Sequence, residues 1–161
     1  MTRKKGMHPQ AFQSWIDASF AARISPDRLG QTVGTATKSA GTHAPDGKFK
    51  NERGHWENYT AALDVHIDDI DTEEERRLML AMRARLWAVW LRDTGSFASC
   101  PHLHAIYIPL KKKEALDTQV EDFLEYRSGL VGHRRDWFWW QHQDDQITRL
   151  LRAAHQASRA L

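Results

Sequence analysis

The fold turns on two stretches, GTHAPDGKFKNERGHWENYTAALDVH at residues 41–66 and PHLHAIYI at residues 101–108. The end of the first and the body of the second carry β-favouring residues in period-two alternation. Residues 62–67 and 102–108 therefore read as short strands, the first ended by Asp68, Asp69 and Asp71 and the second closed by Pro109. Side chains two apart on a strand share a face, so Asp64 sides with His66 and His102 with His104. Residues 29–58, rich in Gly, Thr, Ser, Asn and Pro, read as loops and short strands, the kind of segment on which ligands often sit.

Helices are expected around these strands. Over residues 9–24 Phe12, Trp15, Ile16, Phe20 and Ile24 fall on one helical face. Thr72 followed by Glu75 is a capping-box pattern, and a helix is expected from there through Leu78, Met82, Leu86, Val89 and Trp90 to a stop at residues 93–95. On that reading Trp87 and Trp90 are core residues of a helix. A third helix spans residues 114–127, with Leu116, Val120, Phe123 and Leu124 inward and Gly129 as its terminator. A last one starts near Asp144 and carries Ile147, Leu150, Leu151 and Ala154. Helices and strands together make an α+β domain, a small antiparallel sheet flanked by helices, with residues 1–161 forming a single domain that has an N-terminal helix and a helical tail.

Composition narrows the function classes. Apolar residues form 41% and aromatics 10% of the 161 residues, enough bulk for a packed core and too much for a disordered chain. The net charge is +2 with acids and bases interleaved, so no nucleic-acid footprint is expected. The lysine run 111–113 reads as a solvated turn. A single cysteine, Cys100, forms no internal disulfide and reads as structural. No apolar segment follows the basic start, so no secretory signal is expected, and no run of eighteen apolar residues suggests a membrane span.

The chemistry-bearing residues are histidines and an aspartate. Zinc takes three or four ligands from His, Asp, Glu and Cys and keeps one position open when catalytic. His43, Asp64, His102 and His104 supply such a set. The bland alternative is that His102 and His104 are half-buried sheet residues and that Asp64 caps a turn. Asp46, His55 and Glu57 lie between His43 and Asp64 as further donors. Within RRDWFWWQHQ, Trp137, Phe138 and Trp140 read as closing the core against the first helix; the alternative is a virion or protein partner face formed by Trp137, Phe138, Trp139 and Trp140.

SAGTH at 39–43, AALDV at 61–65, LWAVWLRDTGSF at 86–97 and PHLHAIYI at 101–108, followed by YRSGLVGHRRD at 126–136, come in an order that resembles the zinc D-alanyl-D-alanine carboxypeptidase family, which includes peptidoglycan endopeptidases and phage endolysins, and particularly its actinobacterial and phage-borne branch. The resemblance implies a D-Ala-D-Ala carboxypeptidase/hedgehog-like sheet carrying Zn2+ on His43, Asp64 and His104. It also implies His102 beside the metal as a catalytic acid or base or an oxyanion-stabilising group, and a zinc-activated water attacking a peptide bond of a peptidoglycan stem peptide or crosslink. Ser39, Thr42 and Lys38 are candidate substrate contacts, Ser39 and Thr42 otherwise bonding the loop around His43; His66, on the face of Asp64, is a satisfied structural residue, a partner behind the ligands or an alternative ligand.

The chain departs from the family pattern in two ways. A long insertion separates His43 from Asp64, and the upstream arginine that holds a substrate carboxylate has no clear counterpart, Lys38 and Arg28 being the nearest substitutes. A catalytically inactive domain of the same fold, serving as a virion or cell-wall interaction module, is the alternative expectation, and a structural metal site closed by His66 or His55 is a third. Made in the cytoplasm, such a protein acts at the wall when exported, released by lysis or carried in a virion.

Overall fold

The computed structural model describes residues 3, 5–33, 44–130 and 132–161. Helix α1 (Pro9–Ala21) leads to strand β1 (Gln31–Val33), a hairpin of β2 (Gly47–Lys50) and β3 (Trp56–Tyr59), strand β4 (Ala62–His66), helix α2 (Thr72–Arg83), strands β5 (Trp87–Arg92) and β6 (His102–Tyr107), and helices α3 (Glu114–Leu124), α4 (Trp137–Gln141) and α5 (Asp145–Arg159). The architecture is α+β, with two small antiparallel sheets and helices. The larger sheet has the order β1-β4-β6-β5, all neighbours antiparallel.

The two faces of that sheet differ in chemistry. Leu63, Val65, Leu103, Ala105 and Val89 are buried and share the face of Trp87, whose indole N–H donates to Ser14 of α1 at 3.0 Å. On the opposite face Trp90 meets Phe123 of α3, ring centroids 5.4 Å apart. The sheet is thus sandwiched between α1 with α2 and α3, the arrangement that covers both faces of buried strands.

The helix expected through Trp90 ends at Arg83. Leu86 then takes a left-handed conformation, φ 69°, and the chain turns into β5. Its first four residues are all buried, and a short apolar run buried on both faces has no periodicity that separates strand from helix. Leu86 occupies a conformation that glycine ordinarily signals, so the sequence carries no stop mark there. Trp87 and Trp90 are core residues, but on opposite faces of a strand.

The α2 cap lies one residue earlier than Thr72–Glu75. The Asp71 carboxylate accepts from Glu74 N at 2.8 Å and Glu74 accepts from Asp71 N at 3.1 Å. In α1 the deepest residues are Ala11, Trp15, Ala18 and Ser19; of the expected stripe Trp15 and Ile24 are buried, Phe12 and Ile16 are partly buried, and Phe20 is 65% exposed. Helix α3 stops at Leu124, and Tyr126 adopts φ 56°. Gly129 is instead required by contact, since a Cβ there would stand 2.8 Å from the Gln119 backbone. Leu150 on α5 is exposed.

Two further expectations fail for reasons of packing. Lys112 is buried, its Nζ donating to Leu110 O at 2.9 Å and Ser158 Oγ at 2.7 Å, with Asp117 at 3.4 Å. A buried ammonium persists only with such partners, and only Lys111 of the run is exposed. In α4 the core residue is Trp139, which donates to Val89 O at 2.7 Å and packs on Phe123 of α3. Trp137 and Trp140 are exposed and carry Arg135 over their rings at 5.4 and 3.8 Å, so they do not close the core on α1. Among the described residues no helix is long and apolar enough to cross a membrane.

Candidate functional site

Register builds the site in two rows across the α3-facing side of the sheet. One row is Asp64 on β4, His104 on β6 and Trp90 on β5; the next is His66, His102 and Arg92 on the same strands. His104 is fully buried. Its Nδ1 lies 2.8 Å from Asp64 Oδ1, its Nε2 lies 3.3 Å from Gln119 Oε1, and its ring stacks on Trp90 at 6.1 Å.

This pairing leaves a definite chemical question. A neutral imidazole carries one N–H, yet both its nitrogens face oxygen. If Nε2–H donates to the Gln119 carbonyl, the Nδ1 lone pair faces a carboxylate and requires either a second proton or a cation between them. If the Gln119 amide is turned to present its NH2, Nδ1–H donates to Asp64 instead. Metal–ligand bonds of about 2.0–2.2 Å in tetrahedral geometry separate donor atoms by about 3.4 Å, so Asp64 and His104 need to part by only about half an ångström to share an ion. One carboxylate oxygen and one imidazole nitrogen are donor types that zinc takes, two of the three or four it needs.

His102 is 7% exposed. Its Nδ1–H donates to Cys100 O at 3.0 Å, and its ring meets Phe97 edge-on at 5.0 Å. Nε2 is buried and, among the described residues, has no hydrogen-bond partner. With Nδ1 as donor, the neutral ring presents a lone pair at Nε2 in a dry environment, the form a proton acceptor needs. His66, half-buried, shares the face of Asp64 beside Gly30, where a Cβ would approach His66 Cβ to 3.0 Å. A pocket of about 310 Å³ opens there, lined by Arg28, Gly30, Gln31, His66, Asp68 and Asp69.

The insertion folds as the β2–β3 hairpin, and its ends meet. Asp46 N donates to Tyr59 O at 2.7 Å, and the Asp46 carboxylate accepts from Ala61 N at 2.7 Å, Thr60 Oγ1 at 3.1 Å and Lys113 N at 3.0 Å. Asp46 is thus an anchor. Glu57 pairs with Arg3 and Asn51, and His55 is exposed at the hairpin turn; neither is drawn to Asp64. Gly47 must be glycine, because a Cβ would lie 2.7 Å from the Tyr59 ring. Arg28 is committed to Glu74 at 2.7 and 2.9 Å, and Cys100 is exposed.

His43, Ser39, Thr42 and Lys38 lie outside the described residues. Among the described residues no group of three His, Cys, Asp or Glu side chains is arranged to hold a metal ion; Asp64 and His104 are the two brought together. Two site residues escape the sequence reading. Gln119 falls on the inner stripe of α3 between Leu116 and Phe123, where a polar residue in an apolar series is the available signal. Arg92 becomes visible only once β5 is a strand. Comparison with protein-family models, with curated proteins and with solved structures finds no match.

Proposed function

We propose that this protein is a zinc-dependent peptidase that hydrolyses peptide bonds of bacterial peptidoglycan, on a D-Ala-D-Ala carboxypeptidase/hedgehog-like sheet. The observation that carries the reading is the contact of Asp64 Oδ1 with His104 Nδ1 on a sheet whose opposite face is packed with apolar side chains. Asp64 and His104, with His43, are the residues that would hold the ion. Bound zinc supplies a Lewis acid that polarises a carbonyl and lowers the pKa of water.

The remaining roles belong to the chain itself. Gln119 orients the His104 ring through Nε2. The free Nε2 of His102, held in its tautomer by Cys100 O, accepts a proton and returns it to the leaving amine. Phe97 and Trp90 exclude water from the two rings. The hairpin supports this reading, since Asp46 ties its two ends together at Tyr59, Thr60 and Ala61. Exposed Trp137 and Trp140 favour the second reading, a catalytically silent cell-wall or virion module of the same fold.

Elemental analysis of the purified protein decides first. About one zinc per chain, lost in His43→Ala and in His104→Ala, together with release of product from crosslinked muropeptides, is expected. Absence of stoichiometric zinc after reconstitution sinks the peptidase and leaves the interaction module.

A further inference from the structure

The β2–β3 hairpin has two unlike faces, set by strand alternation. Phe49 and Tyr59 are buried, and both meet the His8 ring edge-on, at 5.0 and 5.2 Å. Lys48 and Lys50 on β2 stand opposite Asn58 and Trp56 on β3, so these four side chains share the outer face. Trp56 is 64% exposed, and Lys50 Nζ lies 5.4 Å from its ring centroid. The turn is fixed locally: Asn51 Oδ1 accepts from Arg53 N at 3.0 Å and His55 N at 2.9 Å, and Gly54 takes φ 76°. A cavity of about 540 Å³ opens on this face, bordered by Lys5, Lys48, His55, Trp56 and Asn58. Glu57 borders it too, but its carboxylate is already held, by Arg3 at 3.1 Å and Asn51 at 2.7 Å. Among the described residues Lys5, Lys48 and Lys50 make no ion pair, and the Asn58 side-chain amide makes no hydrogen bond.

We propose that the outer face of this hairpin is a second binding site, which takes an acidic polysaccharide: a sugar ring packs on Trp56 while anionic groups of the chain meet Lys5, Lys48 and Lys50. The inference rests on the peptidase reading only for where such a polymer is met, a cell wall, and not for the contacts. An exposed indole offers a flat apolar face with an N–H at its edge, and a sugar ring presents C–H groups to such a face. The Asn58 amide carries both donors and an acceptor, which matches hydroxyls that donate and accept. An ammonium is a point charge without the planar fork of a guanidinium, so carboxylate and phosphate groups satisfy it alike. Lys48 and Lys50 are two residues apart on one strand, about 7 Å; they repeat charge along the strand as a polyanion does along its chain. Single-stranded nucleic acid fits less well, because it stacks successive bases on several aromatic rings. This face offers one, in a chain whose net charge is +2.

The test measures dissociation constants of the full chain by titration calorimetry against a hexameric oligouronate, a neutral N-acetylglucosamine hexamer, a polyglutamate of equal charge and a short oligothymidylate. The oligouronate should bind about 10-fold more tightly than the neutral sugar, from ion pairs that are weak singly and act in a row. It should also bind about 10-fold more tightly than polyglutamate, the usual worth of an aromatic anchor. Trp56→Ala should remove the second preference and the double variant Lys48→Gln, Lys50→Gln the first. Both variants should keep the wild-type melting temperature, since the altered side chains are exposed. Added salt should weaken oligouronate binding more in wild type than in the lysine variant. Equal affinity for oligouronate and polyglutamate, or preferences untouched by either variant, overturns the assignment; tightest binding of the oligothymidylate gives the face to nucleic acid instead. The sugar preference in a protein without zinc or turnover keeps this site and removes the peptidase, and zinc-dependent turnover without the preference does the reverse.

Discussion

Replacing Asp46 tests whether the chain beyond His43 is pinned to the sheet as the geometry indicates. The carboxylate is fully buried at its side chain, accepts from two main-chain N–H groups and one hydroxyl, and lies 3.4 Å from Lys113 Nζ. In Asp46→Ala the N–H of Ala61, the N–H of Lys113 and the Thr60 hydroxyl lose their acceptor. Each buried polar group left unmade costs about 1–3 kcal/mol, partly offset because the carboxylate no longer has to be desolvated, so a loss of about 3–5 kcal/mol is expected. Asn offers one acceptor oxygen where Asp offers two. It can keep the Oδ2 contacts to Ala61 and Thr60, but it turns an N–H2 toward Lys113 N. Asp46→Asn should therefore fall between, near half the loss. Urea unfolding followed by circular dichroism reads this directly, with a midpoint shift of roughly 2 M for Ala at an m-value of about 2 kcal/mol/M. An Asp46→Ala protein within about 1 kcal/mol of wild type at unchanged m refutes the anchor, and with it the account of how the hairpin is accommodated.

Two further predictions follow from the same contacts. Gln119→Leu should weaken zinc binding by about 10–100-fold, the usual effect of losing a residue that orients a ligating imidazole; competition against a chromophoric chelator checks it, and an unchanged affinity removes Gln119 from the site. His155 is buried, with neither ring nitrogen hydrogen-bonded among the described residues and with Asp117 and Glu121 both 3.8 Å away. Burial first, then Lys112, holds its pKa below the ordinary 6.5. The unfolded chain therefore takes up this proton first on acidification: the contribution is fully present above about pH 6.5 and is lost as pH falls below it. Wild type should lose more stability than His155→Gln between pH 7.5 and 5.5, by urea midpoint; parallel profiles contradict the assignment.

Where sequence and structure agree, a local rule acted alone. Strands β4 and β6 are legible because polar residues mark their alternation, and α5 because Asp144 caps it: Ile147 N donates to Asp144 Oδ1 at 2.9 Å. The pairing of Asp64 with His104 follows once both are strand residues on one face. Where the reading fails, two rules competed. The segment from Leu78 to Trp90 satisfies a helical stripe and a doubly buried strand equally, and only the conformation of Leu86, set by tertiary packing, decides. The Asp71 and Thr72 caps are one residue apart and share the same acidic turn, so the sequence cannot rank them. Lys112 and Trp139 are buried against α5 and β5, partners distant in sequence. No local pattern announces them.

The strongest argument for a functional site is the asymmetry within single strands. On β4, Leu63 and Val65 face a dry apolar layer, while Asp64 and His66 face the other way; on β6, Leu103 and Ala105 alternate in the same manner with His102 and His104. Further along the second face, Ala62, Ile106 and Ala88 form an ordinary apolar row, so that face as a whole can be packed without polar groups. Leucine or valine at positions 102 and 104 would remove the desolvation cost of two buried imidazoles and the unfilled Nε2 of His102. Polar side chains are instead concentrated in two adjacent rows at one end of the sheet, closed by the Arg92 guanidinium, which lies over the Phe97 ring. Such a concentration of polar groups at one end of an otherwise packable face is what the proposed site would use.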